Sequence, residues 1–177
     1  MEKSYKEYLQ HITTFVFDVD GVLTDGNILV TTSGEMYRSM NTKDGYALKT
    51  ALENGFKVCV ISGGTNEGVR KRLEGLGVTD IFLGTHHKTE ALQTYLESHR
   101  LNRENVLFMG DDLPDLEVMQ YVGLPCCPQD SVQEIKQISK YVSHKKGGKG
   151  CVRDIIEQVL KVQGKWISNG PASAKYD

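Results

Sequence analysis

The stretch FVFDVDGVLTDG, residues 15–26, runs from an apolar segment straight into acids. Phe15, Val16 and Phe17 read as a fully buried strand. Asp18 and Asp20 follow one residue apart, then Gly21, then a third acid at Asp25. Extended residues two apart point to one side, so both carboxylates can face one pocket. In an open α/β sheet, ligands bind beyond the carboxyl ends of the strands. A buried strand that ends in paired acids therefore predicts a site.

The rest of the chain repeats the alternation that such a sheet requires. The apolar runs FKVCVIS (56–62), TDIFLG (79–84) and ENVLFMG (104–110) read as further strands. Between and after them lie helix-period segments: DGYALKTALENG, TNEGVRKRLEGLG, KTEALQTYLESHR, LPDLEVMQYVG, SVQEIKQISKY and GCVRDIIEQVLKVQ. The pattern predicts a doubly wound parallel sheet with helices on both faces, in one domain over residues 1–164. Residues 26–41, GNILVTTSGEMYRSMN, break it and read as two short strands about the turn TSGE. A projecting hairpin has edges to cover, so it is a candidate assembly device. The polar tail, 165–177, is expected to be flexible.

Bulk properties narrow the function classes. The 177 residues carry a net charge of -2, which gives no basic footprint for nucleic acid. No stretch reaches the roughly 20 apolar residues of a membrane span. The charged N-terminus has no apolar core of a signal peptide. The four cysteines, Cys59, Cys126, Cys127 and Cys151, form no CxxC pair, which suggests reduced thiols and a cytoplasmic setting.

A second strand end is also acidic. NVLFMG leads into Asp111 and Asp112, with Asp115 three residues on. Any one of these acids alone reads as a turn residue or helix cap. Five carboxylates at two strand ends repel one another unless a cation lies between them. A donor set of oxygens, without His or Cys, suits Mg2+. Ser62 and Gly63 stand at a third strand end, before a helix, where a hydroxyl and backbone N–H groups can hold an anion. Lys88 opens a helix, against the helix dipole, so it is a candidate to neutralise a phosphate oxygen or orient a nucleophile.

DVDGVLTDG, ISGG, Lys88 and GDDLPD together resemble the four motifs of the haloacid dehalogenase superfamily of phosphatases, over about residues 12–163. Dehalogenases lack the second aspartate, so Asp20 favours phosphoryl transfer. The short insertion leaves no room for a large cap domain. With NTKDGYAL and GGKGCVRDIIEQVLKVQGKW, the chain is similar to the subgroup of 3-deoxy-D-manno-octulosonate 8-phosphate phosphatases, enzymes of lipopolysaccharide precursor synthesis.

The resemblance implies a homotetramer with packed hairpins, each site closed by a neighbour. It implies that Asp18 attacks phosphorus and that Asp20 is the acid and base. Mg2+ would be held by Asp18, the Asp20 carbonyl and Asp111. Ser62, Gly63 and Lys88 would hold phosphate oxygens, with Asp112 and Asp115 orienting Lys88 or metal-bound water. Lys43, Asp44, Arg72 and Arg153 are candidates for the sugar acid.

Gly64 departs from the subgroup, which has arginine there, and from nine-carbon sugar-acid phosphatases, which have glutamate. A nine-carbon or other sugar phosphate is therefore the alternative substrate. A non-catalytic binding relative, a capped phosphomutase and a receiver-like signalling domain fit the motifs less well.

Overall fold

The computed structural model describes residues 4–166. In chain order the elements are α1 (Tyr5–Leu9), β1 (Thr14–Phe17), β2 (Leu29–Val30), β3 (Met36–Tyr37), α2 (Thr42–Glu53), β4 (Lys57–Ile61), α3 (Glu67–Gly75) and β5 (Asp80–Phe82). There follow α4 (Lys88–His99), β6 (Val106–Met109), α5 (Leu116–Tyr121), β7 (Leu124–Cys127), α6 (Gln133–Ile138), β8 (Tyr141–Val142) and α7 (Cys151–Val162).

Six strands form one parallel sheet in the order β5-β4-β1-β6-β7-β8. Successive side chains alternate between two apolar layers. Phe15, Phe17, Val58, Val60, Leu107 and Met109 pack into the core beneath α2 and α7. Val16, Cys59, Ile61, Val106 and Phe108 enter the core shared with α4, α5 and α6. Both faces are covered, which is why these strands are continuously apolar. All four cysteines are free and buried. No helix among the described residues is long and apolar enough to cross a membrane.

The chain winds outward from β1 through β4 to β5, then returns to β6 on the other side of β1. The switch point therefore falls between β1 and β6, with Phe17 level with Met109 and the Asp18 N–H donating to the Met109 carbonyl at 3.1 Å. A ligand site is expected there.

β2 and β3 make the inserted hairpin, pairing Leu29 with Tyr37 and Val30 with Met36. Ile28, Leu29, Val30, Met36 and Tyr37 are all exposed on it.

Two strands exceed the sequence reading. β7 contains Pro125, and β8 lies where a helix was expected to extend through Tyr141. Pro125 is tolerated because its carbonyl faces the β8 side, accepting from Lys140 N at 2.9 Å. Its missing N–H falls on that same side, ahead of the start of β8, so the ladder to β6 is intact. Of the segment expected to be a tail, Lys165 is exposed with its Nζ over the Phe56 ring, and Trp166 lies edge-on to Tyr46. The remainder, 167–177, lies outside the described residues.

Candidate active site

β1 ends at Phe17 and the chain turns at once. Asp20 (φ −72°, ψ 123°) and Gly21 (φ 85°, ψ −8°) have the dihedrals of a type II turn, which demands glycine in its second central place. Space demands it as well: a Cβ on Gly21 would stand 1.9 Å from Asp111 Oδ2. The Asp-Gly step thus does two things, bending the chain and admitting the carboxylate of a neighbouring strand.

The loop before α7 braces this turn from the other side. A Cβ on Gly147 would stand 1.9 Å from the Gly21 carbonyl oxygen. Gly148 N donates to the Val22 carbonyl at 2.9 Å, and Gly147 N donates to Asp130 Oδ1 at 2.9 Å. The glycines of KKGGKG are therefore a close-packing device against the acid-bearing turn.

Oxygens of Asp18, Asp111 and Asp115 all lie within 4.8 Å of one another. Asp18 is 7% exposed; its Oδ1 accepts from Val19 N at 2.7 Å, and its Oδ2 lies 3.0 Å from Lys88 Nζ. Lys88 is buried at the first residue of α4 and also reaches Asp115 Oδ1 at 2.7 Å. Asp115 Oδ2 accepts from Asp111 N at 3.0 Å, so both of its oxygens are engaged. The Asp111 carboxylate takes no hydrogen bond from the described residues.

Electrostatics follow from this crowding. Burial, then repulsion from Asp115, pushes Asp18 up to about 7 despite Lys88. Burial, then Asp18 and Asp115, pushes Asp111 up to about 8. Burial works to lower the Lys88 ammonium, but Asp18 and Asp115 outweigh it and leave it raised. One lysine does not balance three clustered carboxylates. The donor set of Asp18 and Asp111, hard oxygens in excess of local positive charge, fits a divalent hard cation.

These groups line a cavity of about 380 Å3 together with Asp20, Ser62, Gly63 and Gly64. Ser62 is buried directly after β4, and its Oγ accepts from Gly64 N at 3.2 Å. The segment expected to hold an anion is a loop rather than a helix terminus, because α3 starts at Glu67 with its own cap from Asn66. Thr85 and His86, from the loop after β5, also line the cavity.

Several of the expected residues lie apart from the Asp18–Lys88 cluster. Asp112 lines the cavity at an exposed position and makes no ion pair with Lys88; its Oδ1 accepts from Leu113 N at 2.8 Å, capping a short turn. Asp44 is 1% exposed and does not enter the cavity. Its Oδ1 accepts from Arg153 N at 2.8 Å, supplying from α2 the cap that Gly150 cannot give α7. Arg153 pairs with Glu157 at 3.3 Å and lies over the rings of Tyr46 and Trp166. Lys43 lines a separate basic groove with Arg153, and Arg72 is exposed beside Gly45 of α2. Within one protomer none of these four lines the acidic cavity.

One contact was missed. Arg38, just past β3, grips Asp20 with Nε to Oδ1 at 2.7 Å and Nη2 to Oδ2 at 2.9 Å. Its signal in the sequence was slight: it is the one basic residue in the hairpin stretch 26–41.

With this geometry in view, the chain was compared with known proteins. A family model described as haloacid dehalogenase-like hydrolase matches residues 75–155. The 3-deoxy-D-manno-octulosonate 8-phosphate phosphatase of Salmonella typhi is 36% identical over 156 residues, covering 88% of this chain and 83% of the relative. The chain belongs to the haloacid dehalogenase-like hydrolases. Its matched relatives within the family are phosphatases, and it is a phosphatase. Among solved structures, the phosphatase of that same name from Moraxella catarrhalis, in complex with magnesium ion, phosphate ion and a KDO molecule, superposes with a TM-score of 0.89 at 29% identity. That match covers 92% of this haloacid dehalogenase-like phosphatase and 93% of the Moraxella chain. A cobalt-bound form of the Haemophilus influenzae enzyme gives 0.86 at 30% identity over 89% and 92% of the two chains.

Proposed function

We propose that this phosphatase hydrolyses 3-deoxy-D-manno-octulosonate 8-phosphate, with Mg2+ as its metal and Asp18 as its nucleophile. The observation that carries the reading is the meeting of Asp18, Asp111, Lys88, Ser62 and Gly63 around one cavity at adjacent strand ends. The names of the relatives from Salmonella and Moraxella support the substrate, and the magnesium in the latter supports the ion.

Asp18 attacks phosphorus, and the bond from phosphorus to the sugar oxygen breaks, leaving an aspartyl phosphate. Asp20 gives a proton to the departing sugar oxygen. It then takes one from the water that attacks the aspartyl phosphate, so that inorganic phosphate leaves and Asp18 is restored. Lys88 orients the Asp18 carboxylate and neutralises a phosphate oxygen, while Asp115 fixes Lys88. Ser62 Oγ–H and Gly63 N–H hold the other oxygens. Asp18, Asp111 and the Asp20 carbonyl would hold the Mg2+, which supplies positive charge against the repulsion between carboxylate and phosphate.

The exposed apolar hairpin supports a homotetramer packed through it. In such an assembly Lys43, Arg72 and Arg153 would meet the sugar acid at a neighbour's cavity. The free, buried cysteines support a reducing cytoplasm.

The test is a steady-state comparison of phosphorylated 2-keto-3-deoxy acids of eight and nine carbons, with a hexose phosphate as control. The eight-carbon ester should have the highest kcat/KM. A preference for the nine-carbon ester would transfer the assignment to that class.

A further inference from the structure

Arg38 leaves an otherwise exposed hairpin to bury its guanidinium. Its side chain is 8% exposed, against 32% for Asp20. The flanking residues Met36 and Tyr37 stay outside. Withdrawing a guanidinium from water is costly unless it gains a well-formed pair. Here the pair is two-pronged, the geometry that constrains a carboxylate most.

Without Arg38, Asp20 would keep one weak tie. Thr24 Oγ1 donates to Asp20 Oδ1 at 3.3 Å, while Thr24 Oγ1 itself accepts from Gly21 N and Gly26 N. A carboxylate tied at one oxygen can rotate about its terminal torsion. Arg38 removes that freedom by fixing Oδ1 and Oδ2 at once. The arginine is in turn fixed by the frame around it. Asn66, the cap of α3, donates from Nδ2 to the Met36 carbonyl at 2.9 Å, anchoring β3 beside the cavity. Gly64 lies beside the pair: a Cβ there would make ordinary contacts, 3.5 Å from Arg38 Nη2 and 3.6 Å from Asp20 Oδ2.

We infer that Arg38 is a positioning residue for the phosphatase reaction, setting the orientation in which Asp20 meets the oxygen of the leaving group. The inference rests on the reading of Asp20 as acid and base. It makes the hairpin part of the catalytic apparatus of its own protomer.

Leaving-group dependence tests it. An alkoxide needs a proton to depart, whereas a p-nitrophenolate does not. The comparison uses kcat/KM, which reports the steps through cleavage of the ester and excludes the later hydrolysis of the aspartyl phosphate. Glycerol 3-phosphate, which has no carboxylate, serves as the alkyl ester, and p-nitrophenyl phosphate as the aryl ester. Asp20→Asn should lose more toward the alkyl than the aryl ester by on the order of a hundredfold. Arg38→Ala should show the same bias, at about tenfold or more. Arg38→Lys should recover part of the alkyl loss, while Arg38→Met, which keeps bulk without charge, should recover none. In the Asp20→Asn background, Arg38→Ala should cost little further.

Equal losses toward both esters in Arg38→Ala, or recovery by Arg38→Met as full as by Arg38→Lys, would make Arg38 a packing residue and overturn the inference. A full further loss in the Asp20→Asn background would make Arg38 a substrate contact and overturn it equally. Absence of the bias in Asp20→Asn itself would bring down the role of Asp20, and the inference with it.

Discussion

Stripping divalent metal from this phosphatase should create an instability that grows with pH. The cause is the lift of Asp18 from 3.8 to about 7 and of Asp111 from 3.8 to about 8. Below the unfolded value, both the folded and unfolded chains hold these protons, and no penalty exists. As pH rises from 4 towards 7, the unfolded chain releases protons that the folded chain keeps, so folding becomes less favourable. Above about 8 both states are ionised and the penalty is complete. Each tenfold gain in proton affinity is worth about 1.36 kcal/mol, so Asp18 alone represents about 4 kcal/mol. Asp18 and Asp111 raise each other, so the pair's penalties do not add. For a chain of this size, about 4 kcal/mol is about 8–16 °C in melting temperature.

Bound Mg2+ replaces the protons as compensating charge and removes the penalty. Melting curves recorded from pH 5 to 8, with EDTA and with Mg2+, should therefore diverge as pH rises. Asp44, which burial raises to about 6, drifts alike in both series and cancels from the difference. Asp111→Asn sharpens the test, because at pH 8 without metal it should melt above the unsubstituted protein and gain little from Mg2+. A gap independent of pH, or a metal-free Asp111→Asn that melts below the parent at pH 8, would refute the carboxylate account.

Three further outcomes are expected. Asp18→Asn should abolish turnover of sugar phosphate while leaving the circular dichroism spectrum and the cooperative melt in place; substantial residual turnover would remove Asp18 as nucleophile. Gly21→Ala would put a methyl 1.9 Å from Asp111 Oδ2, so the carboxylate must retreat by about 1.5 Å to reach an ordinary 3.4 Å contact. Its kcat should fall on the order of a hundredfold in a steady-state assay, the scale for a displacement of that size. Leu29→Glu, on the exposed face of the hairpin, should reduce the mass measured by light scattering, whereas an unchanged mass would take the hairpin out of the assembly.

The sheet was legible because its strands are buried on both faces. Phe15–Phe17, Val58–Ile61 and Val106–Met109 each read as an unbroken apolar run, and Asp18, Ser62 and Asp111 stand at or just past the places where those runs stop. Pro125 concealed β7, since a proline ordinarily argues against a central strand; its harmless orientation depends on where β8 begins, 16 residues later. The grip of Arg38 on Asp20 spans 18 residues and depends on how the hairpin folds back. The cap from Asp44 to Arg153 spans 109 residues. No periodicity connects such pairs, so nothing in the sequence signals that the Asp44 carboxylate caps α7 at the Arg153 N–H.

The glycine loop pressed against the Asp20–Gly21 turn has a consequence for how the enzyme is made. Every residue lining the acidic cavity is synthesised before Gly147 and Gly148. A growing chain on the ribosome thus acquires its acids, its lysine and its serine while the turn that aligns them still lacks its backing. Phosphate-ester cleavage would switch on only as that loop docks, and a fragment ending before it would carry a full set of reactive groups without the means to aim them.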